Sequence, residues 1–212
     1  MKKLLKIILI FLLVLFILVI GCIIVFTAYV NYKNNNYIKY STPDGAIEAK
    51  YTAPGNYDVS FEEFDAGDDI SKKYSVWYPS EMKESSNSYP MVVIANGTGM
   101  KASSLSAVYN HLSSWGFIVV GNDDKNSRTG TSSATTLDFM LGLNEDKASD
   151  FFGKIDTESL GIAGHSQGGV GAINAVTQQK NGSAYKVICA QSVTSSAVAN
   201  ALNLLDGELG GG

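Results

Sequence analysis

The hydrophobic pattern begins with an almost unbroken apolar run from Ile7 to Val30. No charged residue lies inside this run, and Lys2, Lys3 and Lys6 precede it. About twenty apolar residues are enough to cross a bilayer, so the run predicts a transmembrane helix. Because the lysines lie on its N-terminal side, we expect that end to remain in the cytoplasm and the rest of the chain to be exported.

Two other interpretations of this segment place the remaining chain in the same compartment. A cleaved signal peptide has an apolar core of about 7–15 residues, which is shorter than this run. The sequence Val19-Ile20-Gly21-Cys22 resembles a bacterial lipobox, although the apolar run continues after the cysteine. We therefore expect residues 4–30 to anchor the protein in a lipid bilayer on its extracytoplasmic face. A lipoprotein and a secreted form are the alternatives.

The next part of the pattern divides the chain further. Residues 1–30 form the membrane anchor or signal segment, and residues 31–55 are polar and predict a stalk. From Tyr57 to Phe64 and from Lys73 to Tyr78, aromatic and β-branched residues alternate with polar ones. This alternation predicts an antiparallel pair of strands with one face in water.

From Met91 onward, continuously apolar runs alternate with helix-compatible segments, the pattern of strands buried on both faces. The predicted strands are Met91–Ala95, Phe117–Val120, Leu160–Ala163 and Lys186–Ala190, and the predicted helices are Ser103–Trp115, Thr135–Asn144 and Gln167–Gln179. This order predicts an α/β fold with a mostly parallel, doubly wound sheet and right-handed crossovers. In such sheets, functional residues gather at the carboxyl ends of the strands.

A G-x-S-x-G motif, residues 164–168, follows the apolar run Leu160–Ala163. A serine in this motif, between a strand and a helix, is typical of a nucleophile elbow. The tightness of that turn explains glycine at both flanks, here Gly164 and Gly168. The positive end of the following helix would lie behind Ser166, an arrangement suited to a hydroxyl that attacks a carbonyl.

A second loop, Asn96-Gly97-Thr98-Gly99, follows the predicted strand that ends at Ala95. In a hydrolase, the backbone N–H groups of such a loop and of the residue after the nucleophile hold the oxyanion. Thr98 and Gln167 would supply these N–H groups.

The same loop admits a different interpretation. Gly97-x-Gly99-x-x-Ala102 follows a strand and opens a helix, and Asp123 and Asp124 end the next strand. This spacing matches a degenerate dinucleotide-binding fingerprint. Two predicted strands precede it, however, whereas the fingerprint normally occupies the first strand of its sheet. A dinucleotide-binding domain would also leave the motif at 164–168 unexplained.

Charge and composition exclude some functions. The net charge is −4, and −7 without the three N-terminal lysines, with no basic patch that would support nucleic-acid binding. Cys22 lies in the apolar segment, so Cys189 has no partner for a disulfide within the domain and is expected in the core. With two histidines and two separated cysteines, the sequence predicts neither a metal site nor a cofactor.

The order of elements resembles the α/β-hydrolase fold, with most likeness to the dienelactone hydrolase, chlorophyllase and cutinase-like polyester hydrolase branch. The segments that carry the resemblance are Tyr89–Gly97, Leu112–Val120, Leu137–Leu141 and Ile155–Gly169. The resemblance implies a serine hydrolase acting on small or polymeric carboxylic esters through an acyl-enzyme. It implies that Ser166 is the nucleophile and that Thr98 and Gln167 form the oxyanion hole.

The rest of the catalytic triad does not carry over. In this family an acid and then a histidine follow the serine, each after a later strand. The two histidines, His111 and His165, both precede Ser166, and we expect both to be structural. Asp206 and Glu208 are the carboxylates in a plausible acid position. We therefore expect residues 56–212 to be a partial α/β-hydrolase domain, truncated before its C-terminal strands and inactive as given. A non-catalytic surface or binding module is the alternative.

Overall fold

The computed structural model describes residues 2–195, and the chain divides into two compact units, Met1–Ala53 and Pro54–Gly212. The first unit contains helix α1 (Lys2–Asn35), a 3-10 turn (Tyr37–Tyr40) and helix α2 (Ala46–Thr52). Among the described residues, α1 alone is long and apolar enough to cross a membrane, judged by length and composition. The short helix α2 lies in the segment predicted as a polar stalk.

The described part of the second unit, up to residue 195, is built around a six-stranded sheet with the order β1-β2-β4-β3-β5-β6. The strands are β1 (Val59–Asp65), β2 (Lys73–Pro79), β3 (Tyr89–Ala95), β4 (Ile118–Asn122), β5 (Ile155–His165) and β6 (Val187–Gln191). Strand β2 pairs antiparallel with β1 and β4, and the other neighbours are parallel. The predicted α/β fold with a mostly parallel sheet and an N-terminal antiparallel pair is confirmed for the described residues.

Among the described residues, three helices cover the sheet, in agreement with a doubly wound architecture. Helices α4 (Thr131–Glu145) and α5 (Gln167–Gln178) pack on one face and contribute Leu137 and Ala172 to the larger apolar cluster. Helix α3 (Ser106–Ser114) follows a 3-10 turn and covers the other face, where Tyr109 packs against Trp77 with ring centroids 4.5 Å apart. Such burial of large aromatic and aliphatic side chains supplies most of the stability of a domain of this size.

The prediction that the antiparallel pair has one face in water is wrong for β2. Its residues from Tyr74 to Pro79 are all buried. Strand β2 lies between β1 and β4, and both of its faces are covered. On one face Trp77 contacts Tyr109, and on the other Tyr78 meets the ring of Phe151 at a centroid distance of 5.3 Å. The one-sided pattern applies to β1, which is an edge strand of the sheet.

The expectation that Cys189 is a core residue is also wrong, because its side chain is exposed in the structure. Strand β6 is an edge strand of the described sheet, and its Val187 and Ile188 are exposed as well. On the α3 side of the sheet, an open apolar groove of about 780 Å³ is lined by β3, β5 and β6 and by Val108 and Leu112 of α3. Cys189 lines this groove.

Candidate active site

Ser166 occupies a sharp turn between β5, which ends at His165, and α5, which begins at Gln167. Its backbone dihedrals are φ 59° and ψ −121°, a region that residues other than glycine rarely adopt. Strained conformations of this kind are held in place by the surrounding fold and cluster at functional sites. Although Ser166 is the N-cap residue of α5, its hydroxyl makes no capping hydrogen bond. The hydroxyl is therefore not used to stabilise the helix.

Two glycines make this turn sterically feasible. A Cβ atom at Gly164 would lie 2.1 Å from the carbonyl oxygen of Gly168, and one at Gly168 would lie 2.2 Å from that of Ala95. Real Cβ atoms do not approach backbone oxygens so closely, so both positions require glycine. As a result, the N-terminus of α5 lies directly against the end of β3.

The loop after β3 lies beside the turn at Ser166. The N–H of Met100 donates to the carbonyl oxygen of Gly97 over 3.0 Å, and Gly99 has a φ of +70°, so residues 97–100 form a tight turn. Thr98 lies exposed in this turn, whereas Gly97 is buried. A Cβ atom at Gly97 would lie 3.5 Å from the carbonyl oxygen of His165. The structure thus brings the loop of Thr98 to the same sheet edge as Ser166 and Gln167.

Asn96 connects this loop to the end of β4. Its side chain is fully buried, and Nδ2 donates to the carbonyl oxygens of Asn122 (2.8 Å) and Asp124 (2.9 Å). In return, the hydroxyl of Ser127 donates to the carbonyl oxygen of Asn96 over 2.6 Å. Because buried polar groups are costly to leave unpaired, these bonds fix the relative positions of the two loops.

The loop after β4 also holds Gln167. This side chain is 1% exposed, and its Nε2 donates to Oδ1 of Asn126 over 2.9 Å. The N–H of Gly99 donates to the carbonyl oxygen of Lys125 over 3.0 Å. One polar network therefore joins the loops after β3 and β4 to the start of α5. Asn96, Gly99, Asp124 and Gln167 stood out in the sequence, but the hydrogen bonds that join them to one another and to Asn126 and Ser127 were not predicted. Their position just after parallel strands was an available signal.

The electrostatics of this edge are set by the helix end and the loop charges. Ser166 is the N-cap residue of α5, so the positive end of the helix dipole lies beside it. Asp123 and Asp124 follow β4. Burial, with a smaller contribution from the charge of Asp123, raises the pKa of Tyr109 well above its usual range, so this phenol stays neutral.

Neither histidine contacts the hydroxyl of Ser166 within residues 2–195. His111 lies on α3 and is half-buried. His165 was expected to be structural, which implies a side chain packed inside the fold. Its side chain is instead exposed and lines the open apolar groove. The side chain that hydrogen-bonds Ser166 Oγ is Thr194, whose Oγ1 lies 3.2 Å away and which no sequence motif had indicated. Asp206 and Glu208, the candidate acids, lie outside the described residues.

The geometry of the loop after β3 differs from that of a dinucleotide-binding fingerprint. A dinucleotide fingerprint requires a helix that opens directly after its glycines. Here a 3-10 turn, Ala102–Leu105, separates the glycines from α3, which favours the hydrolase interpretation.

Among the described residues, no group of three or more histidine, cysteine or acidic side chains is placed to hold a metal ion.

Comparison with known proteins gives two curated relatives of modest similarity. The chain is 28% identical over 110 residues to cutinase est1 from Thermobifida alba, which covers 50% of this chain and 35% of the relative. It is 32% identical over 106 residues to bis(hydroxyethyl) terephthalate hydrolase from Streptomyces coelicolor, which covers 48% and 32% of the two chains. The matches thus span about a third of the length of these relatives.

The family-level match is more extensive. The model of the PETase family, described as PET hydrolase-like, matches residues 34–198, which is well over half of the chain. The match includes the whole described sheet and the turn at Ser166. The chain therefore belongs to the PET hydrolase-like family.

Proposed function

We propose that this protein is a serine hydrolase that cleaves carboxylic esters, with Ser166 as its nucleophile. The observation that carries the proposal is the turn at Ser166. A non-glycine residue is held there at positive φ, at the start of a helix, with a hydroxyl that does not cap the helix. Membership of the PET hydrolase-like family supports the same reaction class.

The proposed reaction proceeds through an acyl-enzyme. Ser166 Oγ attacks the ester carbonyl carbon while its proton passes to a general base, and the carbonyl oxygen becomes an oxyanion. The backbone N–H groups of Thr98 and Gln167 would donate to this oxyanion. Collapse of the tetrahedral intermediate expels the alcohol, which takes up a proton, and water then hydrolyses the acyl-enzyme to a carboxylic acid and free Ser166.

The positions of the two oxyanion donors support their proposed role. Gln167 is the first residue of α5, so its N–H has no acceptor within the helix. The loop of Thr98 is held to the loop after β4 by Asn96 and Gly99, through the hydrogen bonds described above. Donors fixed in this way need little reorganisation during the reaction, which is why preorganised donors stabilise transition states strongly.

The proposed substrates are small or polymeric esters. The two relatives are named a cutinase and a bis(hydroxyethyl) terephthalate hydrolase. By analogy with them, we propose that this chain also acts on esters. The exposure of Thr98 and Gly99 supports a site on an open surface, which a polymer can approach.

We also propose that α1 anchors the protein in a membrane through residues 4–30, with residues 31–55 as a stalk and residues 56–212 outside the cytoplasm. The length and apolar composition of α1 support this proposal. The protein should remain in the membrane fraction after alkaline carbonate extraction, and added protease should digest its domain on spheroplasts. Release into the soluble fraction, or an N-terminus found at Cys22 by mass spectrometry, would contradict an uncleaved anchor.

The proposed function is tested with an alkyl fluorophosphonate and the protein purified after expression from its own gene. Labelling would also overturn the expectation, drawn from the missing triad residues, that the domain is inactive as given. In this reaction Ser166 Oγ bonds to phosphorus, fluoride leaves, and the hydroxyl proton passes to the base. We expect one phosphonyl group per chain, mapped to Ser166 by peptide mass spectrometry, together with hydrolysis of 4-nitrophenyl butyrate. No labelling of Ser166 and no ester hydrolysis would instead favour a non-catalytic binding module.

A further inference from the structure

The turn after β6 is built around Ser166. The N–H of Ser166 donates to the carbonyl oxygen of Gln191 over 3.0 Å, and the N–H of Thr194 donates to the carbonyl oxygen of Ser166 over 3.3 Å. Between them, Ser192 adopts a φ of 46°, which turns the chain back toward Ser166. Backbone strain of this kind is retained where the surrounding contacts compensate for it. The turn therefore holds the side chain of Thr194 beside the hydroxyl of Ser166.

The two hydroxyls share a hydrogen bond, with their Oγ atoms 3.2 Å apart. Both side chains are half-buried, so water competes less for this bond than it would on an open surface. The hydroxyl of Ser166 makes no capping bond, and within residues 2–195 Thr194 is its side-chain partner. The preferred χ1 position of Ser166 therefore depends on Thr194.

We propose that Thr194 is a catalytic residue that orients the nucleophile and donates a hydrogen bond to Ser166 Oγ during attack. This inference rests on the proposed function. A serine side chain has three staggered positions, and the bond to Thr194 favours the one that directs Oγ toward the turn after β6. As Oγ transfers its proton to the base, it becomes more negative, and Thr194 can then donate to it.

The chemistry of this contact predicts where the effect appears in the kinetics. A hydrogen bond to a group that gains negative charge is about twice as strong as a neutral one. Thr194 thus stabilises the transition state more than the bound ester. Losing its hydroxyl should lower kcat and leave KM nearly unchanged, because an interaction made chiefly in the transition state affects kcat.

The inference is tested with Thr194→Val, which keeps the shape but removes the hydroxyl, and Thr194→Ser, which keeps the hydroxyl but removes the methyl group. Thr177→Val is the matched control, because Thr177 is an exposed threonine on α5 whose hydroxyl donates to the carbonyl oxygen of Ile173. The rate of fluorophosphonate labelling at Ser166 and the kcat and KM for 4-nitrophenyl butyrate are measured at a temperature where every variant is folded by circular dichroism.

We expect Thr194→Val to label about tenfold more slowly, as loss of one such hydrogen bond implies, and Thr194→Ser and Thr177→Val to stay within about twofold of the parent. Equal rates for Thr194→Val and the parent would overturn the inference. Equal losses in Thr194→Val and Thr194→Ser would also overturn it, because the methyl group would then be responsible. A parent protein that is not labelled at Ser166 would instead overturn the proposed function, and the inference with it.

Discussion

Replacement of Ser166 by alanine should abolish fluorophosphonate labelling and reduce ester hydrolysis by roughly 10⁴-fold or more, as loss of a serine nucleophile does in other hydrolases. The reason is that alanine removes the attacking hydroxyl, while the neighbouring hydroxyl of Thr194 belongs to a different turn and is proposed to orient Ser166. Labelling is measured by intact-protein mass spectrometry, and hydrolysis by release of 4-nitrophenol. Residual labelling elsewhere in the chain at the parent's rate would contradict the assignment of Ser166.

A glycine variant at the same position separates loss of chemistry from loss of structure. Ser166→Gly should be as inactive as Ser166→Ala, but its free energy of unfolding should be larger by about 1 kcal/mol, since glycine relieves strain at positive φ. The φ of 59° at Ser166 is the origin of this difference. Urea denaturation measures it. Equal stability of the two variants would show that the turn is not strained.

Replacement of Gly168 by alanine should slow labelling of Ser166 by about 100-fold, because displacement of a catalytic group by about 1 Å has effects of this size. The new methyl group would start 2.2 Å from the carbonyl oxygen of Ala95, so the start of α5 must move away from β3. Ser166 and the N–H of Gln167 would move with it. We also expect a loss of about 1–3 kcal/mol in the free energy of unfolding, as for other overpacked sites.

Gly142→Ala is the matched control for this variant. Gly142 lies inside α4, and a Cβ atom there would contact nothing within 4 Å. Alanine should therefore raise the free energy of unfolding by about 0.5–1 kcal/mol through its higher helix propensity, with no change in labelling. If Gly168→Ala behaves like Gly142→Ala in both measurements, α5 does not pack against β3 as described.

The predictable part of the fold follows from hydrophobic patterning. The runs at Met91, Phe117 and Leu160 each lie in an observed strand or at its N-terminal edge, because strands buried on both faces must be apolar throughout. The run at Lys186 also marks a strand, β6, but its side chains are mostly exposed in the described structure. Strand β5 is longer than predicted, since its first part, Ile155–Ser159, includes exposed polar residues that carry no such pattern. Its pairing begins with Tyr89 opposite Ile155.

The candidate site could be predicted only where local sequence determines geometry. Gly164, Ser166 and Gly168 are recognisable because the turn itself demands glycine at both flanks. The contact between Ser166 and Thr194 joins residues 28 positions apart and depends on where β6 ends, so no local pattern reveals it. Asn96 is similar, because its partners Asn122 and Asp124 lie at and just after the end of a different strand, β4.

The exposure of side chains at the sheet edge could also not be predicted from the sequence. An apolar strand pattern predicts burial but does not identify which elements cover each face. Cys189 and His165 therefore looked like interior residues from their neighbours. In the described structure both line the open groove on the α3 side of the sheet.

The most direct test is a crystal structure of the protein after reaction with an alkyl fluorophosphonate. We expect phosphorus bonded to Ser166 Oγ, with the phosphoryl oxygen about 2.7–3.1 Å from the backbone nitrogens of Thr98 and Gln167. A phosphoryl oxygen that points away from both nitrogens, or an adduct on a residue other than Ser166, would contradict this expectation.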